Sequence, residues 1–132
     1  MAGSAPAPGS RILVVTDDEH VRGLLVAVLR ADGHAVDAAA TRDEAVGWIE
    51  RRAYAAVVSD LRMPRLDGPE LTRILEQRRS SAMPALVFLA RPAFAPDLAG
   101  FLMESAAPVL GWPARPADIS RVVARALAPA PA

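Results

Sequence analysis

Three carboxylates are placed where they could do chemistry. Asp17 and Asp18 follow directly on the apolar run "RILVV" in "RILVVTDDEH", and Asp60 ends a second run in "AAVVSDLRMPRLDG". Carboxylates gathered into one crevice raise each other's pKa unless a cation sits among them. An all-oxygen set with few protein ligands and room for waters suits Mg²⁺ better than zinc. The competing reading is purely structural, because Asp commonly caps helix and turn N–H groups.

Several other chemistries fail on the residues present. A phosphate cradle needs glycines and free N–H groups after the first strand, whereas "TDDE" would repel an anion. A phosphatase with acids two positions apart would want one at position 62, where Arg62 stands. There is no cysteine, which removes thiolate metal sites and cysteine nucleophiles. His20 and His34 are isolated, and both are expected to be solvated or locally bonded. All fifteen basic side chains are Arg, so any step that needs a cation must use guanidinium, which is not equivalent to an ammonium group.

The elements that would position these groups alternate along the chain. "RILVV" reads as a short buried strand. Val21, Leu24, Leu25 and Val28 then keep helical spacing up to Gly33. "HAVDAA" is a second strand, and Thr41 with Glu44 forms a T-x-x-E capping box for a helix that turns Ala45, Trp48 and Ile49 inward. "YAAVVS" is a third strand, and Pro69 suits the first turn of a helix burying Leu71, Ile74 and Leu75. "ALVFLA" is a fourth strand, followed by a short helix from near Pro96 that carries Leu98, Phe101 and Leu102. "VLG" is a short fifth strand, at an edge because Pro108 removes a ladder donor. Ile119, Val122, Val123, Ala126 and Leu127 mark the last helix.

Five strands alternating with five helices define an α/β fold with an open, doubly wound parallel sheet covered on both faces. Ligands of such sheets sit beyond the carboxyl ends of the strands. Thr16 to Asp18, Asp60, Leu89 to Arg91 and Gly111 to Pro113 are the residues at those ends. Capping alone explains a single Asp there, but carboxylates ending two separate central strands favour a metal site.

With 132 residues, 52% of them hydrophobic and 23% charged, the chain reads as one globular domain over residues 11–127. Residues 1–10 and 128–132, almost entirely Ala, Pro, Gly and Ser, read as flexible tails. No apolar run approaches the ~20 residues of a membrane span, and no signal peptide is apparent. With zero formal net charge and no basic cluster, neither nucleic acid nor membrane is expected as a partner, and a cytoplasmic location is expected.

"ILVVTDDEHVRGLL", "VVSDLRMPRLDGPEL" and the "WP" after the last strand together resemble a bacterial response-regulator receiver domain over about residues 11–127, most specifically in D-L-x-M-P-x-L-D-G. The resemblance implies a flavodoxin-like sheet of order 2-1-3-4-5. It also implies that Asp60 is the phospho-acceptor and that Mg²⁺ is held by Asp17, Asp60, the backbone carbonyl of Arg62 and, as a further candidate, Asp18. The donor would be a sensor histidine kinase or a phosphotransfer protein. The face of the fourth helix, fifth strand and fifth helix would serve a homodimer or an effector, and the Trp112–Pro113 bond would be cis.

This sequence departs from the family at four switch positions. Thr16 stands where the family has its first acid, and Leu89 replaces the switch Ser/Thr. Trp112 replaces the Lys before proline, and Val109 replaces the aromatic lever. Trp112 is expected to pack on Leu89 and partly close the crevice. Arg91 and Arg62 are the candidates to substitute for the missing ammonium group. The expected function is therefore a non-enzymatic receiver domain that accepts a phosphoryl group on Asp60 with impaired or altered switching. A phosphorylation-independent interaction module is the alternative. A small Mg²⁺-dependent phosphohydrolase is a third reading, disfavoured because no second acid–base group accompanies Asp60.

Overall fold

The computed structural model describes residues 10–78, 82–91 and 96–128. The two tails, apart from Ser10 and Ala128, lie outside the described residues. Five strands, β1 (Arg11–Val15), β2 (Ala35–Ala39), β3 (Ala56–Asp60), β4 (Ala85–Ala90) and β5 (Val109–Gly111), pair in parallel in the spatial order β2-β1-β3-β4-β5. Five helices complete the fold: α1 (Glu19–Ala31), α2 (Arg42–Arg51), α3 (Gly68–Glu76), α4 (Ala99–Ser105), which follows a 3₁₀ turn at Pro96–Leu98, and α5 (Pro116–Leu127). The architecture and strand order are those the sequence led us to expect.

Both faces of the sheet are buried, which is why its strands are apolar without alternation. Ile12, Val14, Val58, Val87 and Leu89 point to one side, where Leu25 and Leu29 of α1 and Ile119 and Val123 of α5 cover them. Leu13, Val15, Val57 and Phe88 point to the other, beneath Ile49 of α2, Leu71 and Leu75 of α3, and Leu98.

The starts of α1, α2 and α3 carry side-chain caps. Asp18 accepts from the N–H groups of His20 and Val21 at 2.9 and 3.0 Å, and Asp67 accepts from Glu70 N–H at 2.9 Å. Thr41 caps α2 through Glu44 N–H at 3.1 Å, but Glu44 reaches back to Ala40 N–H at 2.7 Å, one residue before the reciprocal bond of a regular capping box. Gly33, at φ 95°, lets the chain turn out of α1 into β2.

Three features lie outside the sequence reading. Arg62–Met63 and Leu66–Asp67 form a two-residue antiparallel ribbon, turned at Pro64 and at Arg65, whose φ of 65° is unusual for a non-glycine residue. Gly68 lies so close to α4 that a Cβ there would stand 2.6 Å from the ring of Phe101. His34, expected to be solvated or locally bonded, is buried at the start of β2, and its Nδ1 has no partner among the described residues. The Trp112–Pro113 bond is cis, as expected.

Candidate functional site

The parallel register assembles the site. Val15 of β1 lies beside Ser59 of β3, so the next residues, Thr16 and Asp60, emerge together at the carboxyl edge. On the other side of β3, Leu89 pairs with Asp60, and Arg91 follows two residues later just past the end of β4. Asp17 and Asp18 complete the rim between β1 and α1.

Asp60 is only 3% exposed, and both of its oxygens are engaged. Thr16 Oγ1 donates to Asp60 Oδ2 at 2.6 Å. The guanidinium of Arg91 grips the carboxylate through two bonds, Nη2 to Oδ2 at 2.7 Å and Nε to Oδ1 at 3.2 Å. Arg91 Nη2 also donates to Thr16 Oγ1 at 3.0 Å, Nη1 donates to Asp18 Oδ2 at 3.3 Å, and Asp17 Oδ1 lies 3.9 Å from Nη2. Because Asp18 N–H also bonds to Thr16 Oγ1, at 3.2 Å, that hydroxyl gives one bond and accepts two, its full capacity. A single guanidinium thus touches or faces all three carboxylates.

Burial pushes the Asp60 carboxyl above the usual carboxylate range, outweighing the Thr16 hydroxyl and Arg91, which hold it down. Asp18 is lowered, chiefly by the Val21 N–H it accepts, so its main task is to cap α1. The capping reading applies to Asp18, whereas Asp60 is a buried carboxylate paired with the guanidinium of Arg91.

The two candidate cations part company. Arg91 enters the crevice, while the Arg62 side chain pairs with Asp97. The indole of Trp112 is half-buried against the core cluster that includes Leu89, Leu110 and Ile119. The side chains hydrogen-bonded to Asp60 are the Thr16 hydroxyl and the Arg91 guanidinium. Leu89 is buried in that same cluster and offers no hydroxyl, and Val109 is 42% exposed on the edge strand. The positive role of Thr16 went unread, because the sequence marked it only as a missing acid. The signal lay in its position, one residue past a strand that pairs with β3.

The donor set does not fit a divalent ion in this arrangement. Among the described residues no group of three or more His, Asp or Glu side chains is disposed to hold a metal. Both Asp60 oxygens, the Thr16 hydroxyl and both Asp18 oxygens already take part in hydrogen bonds, and Mg²⁺ demands near-octahedral oxygen coordination. An open cavity of about 370 Å³, lined by Asp17, Thr41, Arg42, Asp43, Met63 and Arg65 among others, adjoins the crevice on the side of Asp17.

A buried acid thus stands at the carboxyl end of the central strand of a five-stranded doubly wound α/β sheet, where ligands of such sheets sit. Residues 12–123 match the family model of the response regulator receiver domain, and the chain belongs to that family. It is 38% identical over 92 residues to the transcriptional regulatory protein TcrA of Mycobacterium tuberculosis, covering 70% of this chain and 36% of that protein. It is 41% identical over 90 residues to the response regulator MprA of a Mycobacterium species, covering 68% of this chain and 39% of that protein. The chain thus spans well under half the length of these curated relatives. The chemotaxis response regulator CheY4 of Vibrio cholerae shares the fold, with a TM-score of 0.78 and 21% identity over 90% of this chain and 99% of that one. Receiver domains belong to two-component systems, work with histidine kinases or phosphotransfer proteins and with effector domains, are generally non-enzymatic signalling modules, and typically take Mg²⁺ in the acidic pocket. No helix among the described residues is long and apolar enough to cross a membrane.

Proposed function

We propose that this receiver domain accepts a phosphoryl group on Asp60, slowly and incompletely, from a sensor histidine kinase or phosphotransfer protein. In that step a carboxylate oxygen of Asp60 forms the new P–O bond as the P–N bond of a phosphohistidine breaks. The departing imidazole takes up a proton. The observation that carries the reading is the bidentate hold of Arg91 on the one buried aspartate at the centre of the site. It supplies positive charge where the transferred oxygens would arrive, but it also ties up the nucleophile, which must first be partly released.

The read-out is altered as well. Without a hydroxyl at Leu89 or an aromatic lever at Val109, the phosphorylated state gains few contacts that the free state lacks. A modification with little differential interaction moves a conformational equilibrium little. That supports a second reading, in which the domain binds its partner whether or not Asp60 is modified.

Intact mass after incubation with phosphoramidate tests the acceptor. One phosphoryl group, partial in occupancy and absent from Asp60→Asn, is expected. Label that persists in Asp60→Asn would remove Asp60 as acceptor, and no label under any condition would favour the second reading.

A further inference from the structure

We infer that the guanidinium of Arg91 is the resident cation of the acidic crevice, that it stands in for a divalent ion in this chain, and that its movement gates access to Asp60. The inference rests on the crevice being the phosphoryl site of the receiver, and it names how that site is regulated.

The hydrogen-bond inventory carries the first part. Arg91 makes four bonds, two to Asp60, one to Thr16 and one to Asp18, and lies 3.9 Å from Asp17. A divalent ion entering this crevice would need oxygens of Asp60 that the planar fork already holds in bidentate geometry. The fork is tethered to the sheet, so it competes at the high effective concentration of an intramolecular partner, on the order of millimolar. Thr16 reinforces the exchange of cations. A family acid at that position would add a ligand charge, whereas the hydroxyl gives a neutral bond to Asp60 and accepts one from Arg91.

The rest of the chain supplies no rival among the described residues that approach the site. There is no Lys, Arg62 is paired with Asp97, Arg22 donates to the Thr16 carbonyl at 2.9 Å, and Trp112 packs into the core cluster. Asp60 at 3% exposure cannot be left ionised and unpaired, since stripping one partner from a buried ion pair is costly. The Arg91 side chain, by contrast, is one-third exposed and sits just beyond the end of β4, so it has a route to solvent. Opening the site means rotating that one side chain outward, and a phosphoryl group or a competing cation must meet this condition first.

The test is thermal melting and Mg²⁺ titration of the full chain, with NaCl at matched ionic strength as the control. In the wild type, millimolar MgCl₂ is expected to leave Tm where matched NaCl leaves it. Arg91→Gln is expected to melt several degrees lower and to regain the loss in a saturable, Mg²⁺-dependent way. Its Mg²⁺ affinity should be at least about tenfold that of the wild type, and adding Asp17→Asn should abolish the gain. A wild type that binds Mg²⁺ as tightly as Arg91→Gln, or an Arg91→Gln protein indifferent to Mg²⁺, would overturn the inference. Should Arg91→Gln fail to fold, the same substitution in an Asp60→Asn background decides the matter. A normal melt there supports a role tied to the Asp60 charge, and failure there as well makes Arg91 merely structural and overturns the inference. Neither result depends on labelling, so loss of the phosphoryl-acceptor reading would be seen separately in the mass spectrum.

Discussion

At the scale of the residue, Asp60 combines two demands that oppose each other. As the proposed acceptor it must be buried enough to be addressed by one cation and ionised enough to act as a nucleophile. Because burial raises its carboxyl, the folded state holds the Asp60 proton more tightly than the unfolded chain does. The ionised group therefore lowers stability at neutral pH, and this cost is relieved as pH falls through the raised folded value towards the ordinary value of 3.8. Asp60→Asn should accordingly melt above the wild type at neutral pH, with the difference shrinking on acidification; a difference that grows in acid would contradict the assignment. The comparison must be made between the two proteins, because Asp18, Glu70 and Asp118 are lowered and their contributions run the other way, lost in acid. Thr16 offers a second check. Thr16→Val keeps the shape but leaves a buried oxygen of Asp60 short of a donor, and should cost about 1–3 kcal/mol in denaturant unfolding.

Much of this was legible in the chain and some was not. The motif around Asp60 and the two candidate guanidinium groups could be read directly from residue types. Choosing between Arg91 and Arg62 required the register. Leu89 lies beside Asp60, and Arg91, two positions on, is brought back to the same side of the sheet by the pleat, whereas Arg62 enters a ribbon beside Asp97. The burial of His34 was beyond reach, since a lone histidine carries no periodic signal. It needed the packing at the end of α1 to be known.

At the scale of the element, the helical and strand periods were sufficient to place the five strands and five helices. What they could not reveal were contacts between elements. The ribbon at Arg62–Met63 and Leu66–Asp67 is too short to show a period. Gly68 carried no packing signal in the sequence, and its constraint comes from Phe101 of α4, 33 residues on, which stacks edge-on against Phe88 at 5.4 Å between centroids. Gly68→Ala forces a methyl group into that ring and should cost about 1–3 kcal/mol through overpacking. Trimming the ring in Gly68→Ala/Phe101→Leu should return part of the loss. A Gly68→Ala protein as stable as the wild type would mean that α4 shifts freely, and the packing of this end of the sheet would have to be redrawn.

At the scale of the whole molecule, the strand order puts β5 at the edge of the sheet, away from the central strand that carries Asp60. β5 is an edge strand, and Val109 on it and Met103 on α4 are exposed large apolar residues, at 42% and 85%. An apolar edge that is already exposed, with no aromatic lever to gate it, is expected to engage its partner or a second copy regardless of phosphodonor. Sedimentation or light scattering should find the same assembly state with and without phosphoramidate, and in wild type and Asp60→Asn alike. A rise in assembly confined to the phosphorylated wild type would restore conventional switching.

These scales meet in the rate at which Asp60 is labelled. The most direct measurement is a time course of intact mass with phosphoramidate, run in parallel in MgCl₂ and in EDTA, for the wild type and Asp60→Asn. With Arg91 serving as the resident cation, the wild type should gain one phosphoryl group slowly and partially, at a rate that differs little between MgCl₂ and EDTA, while Asp60→Asn gains none. Rapid, stoichiometric labelling that EDTA abolishes would contradict the account.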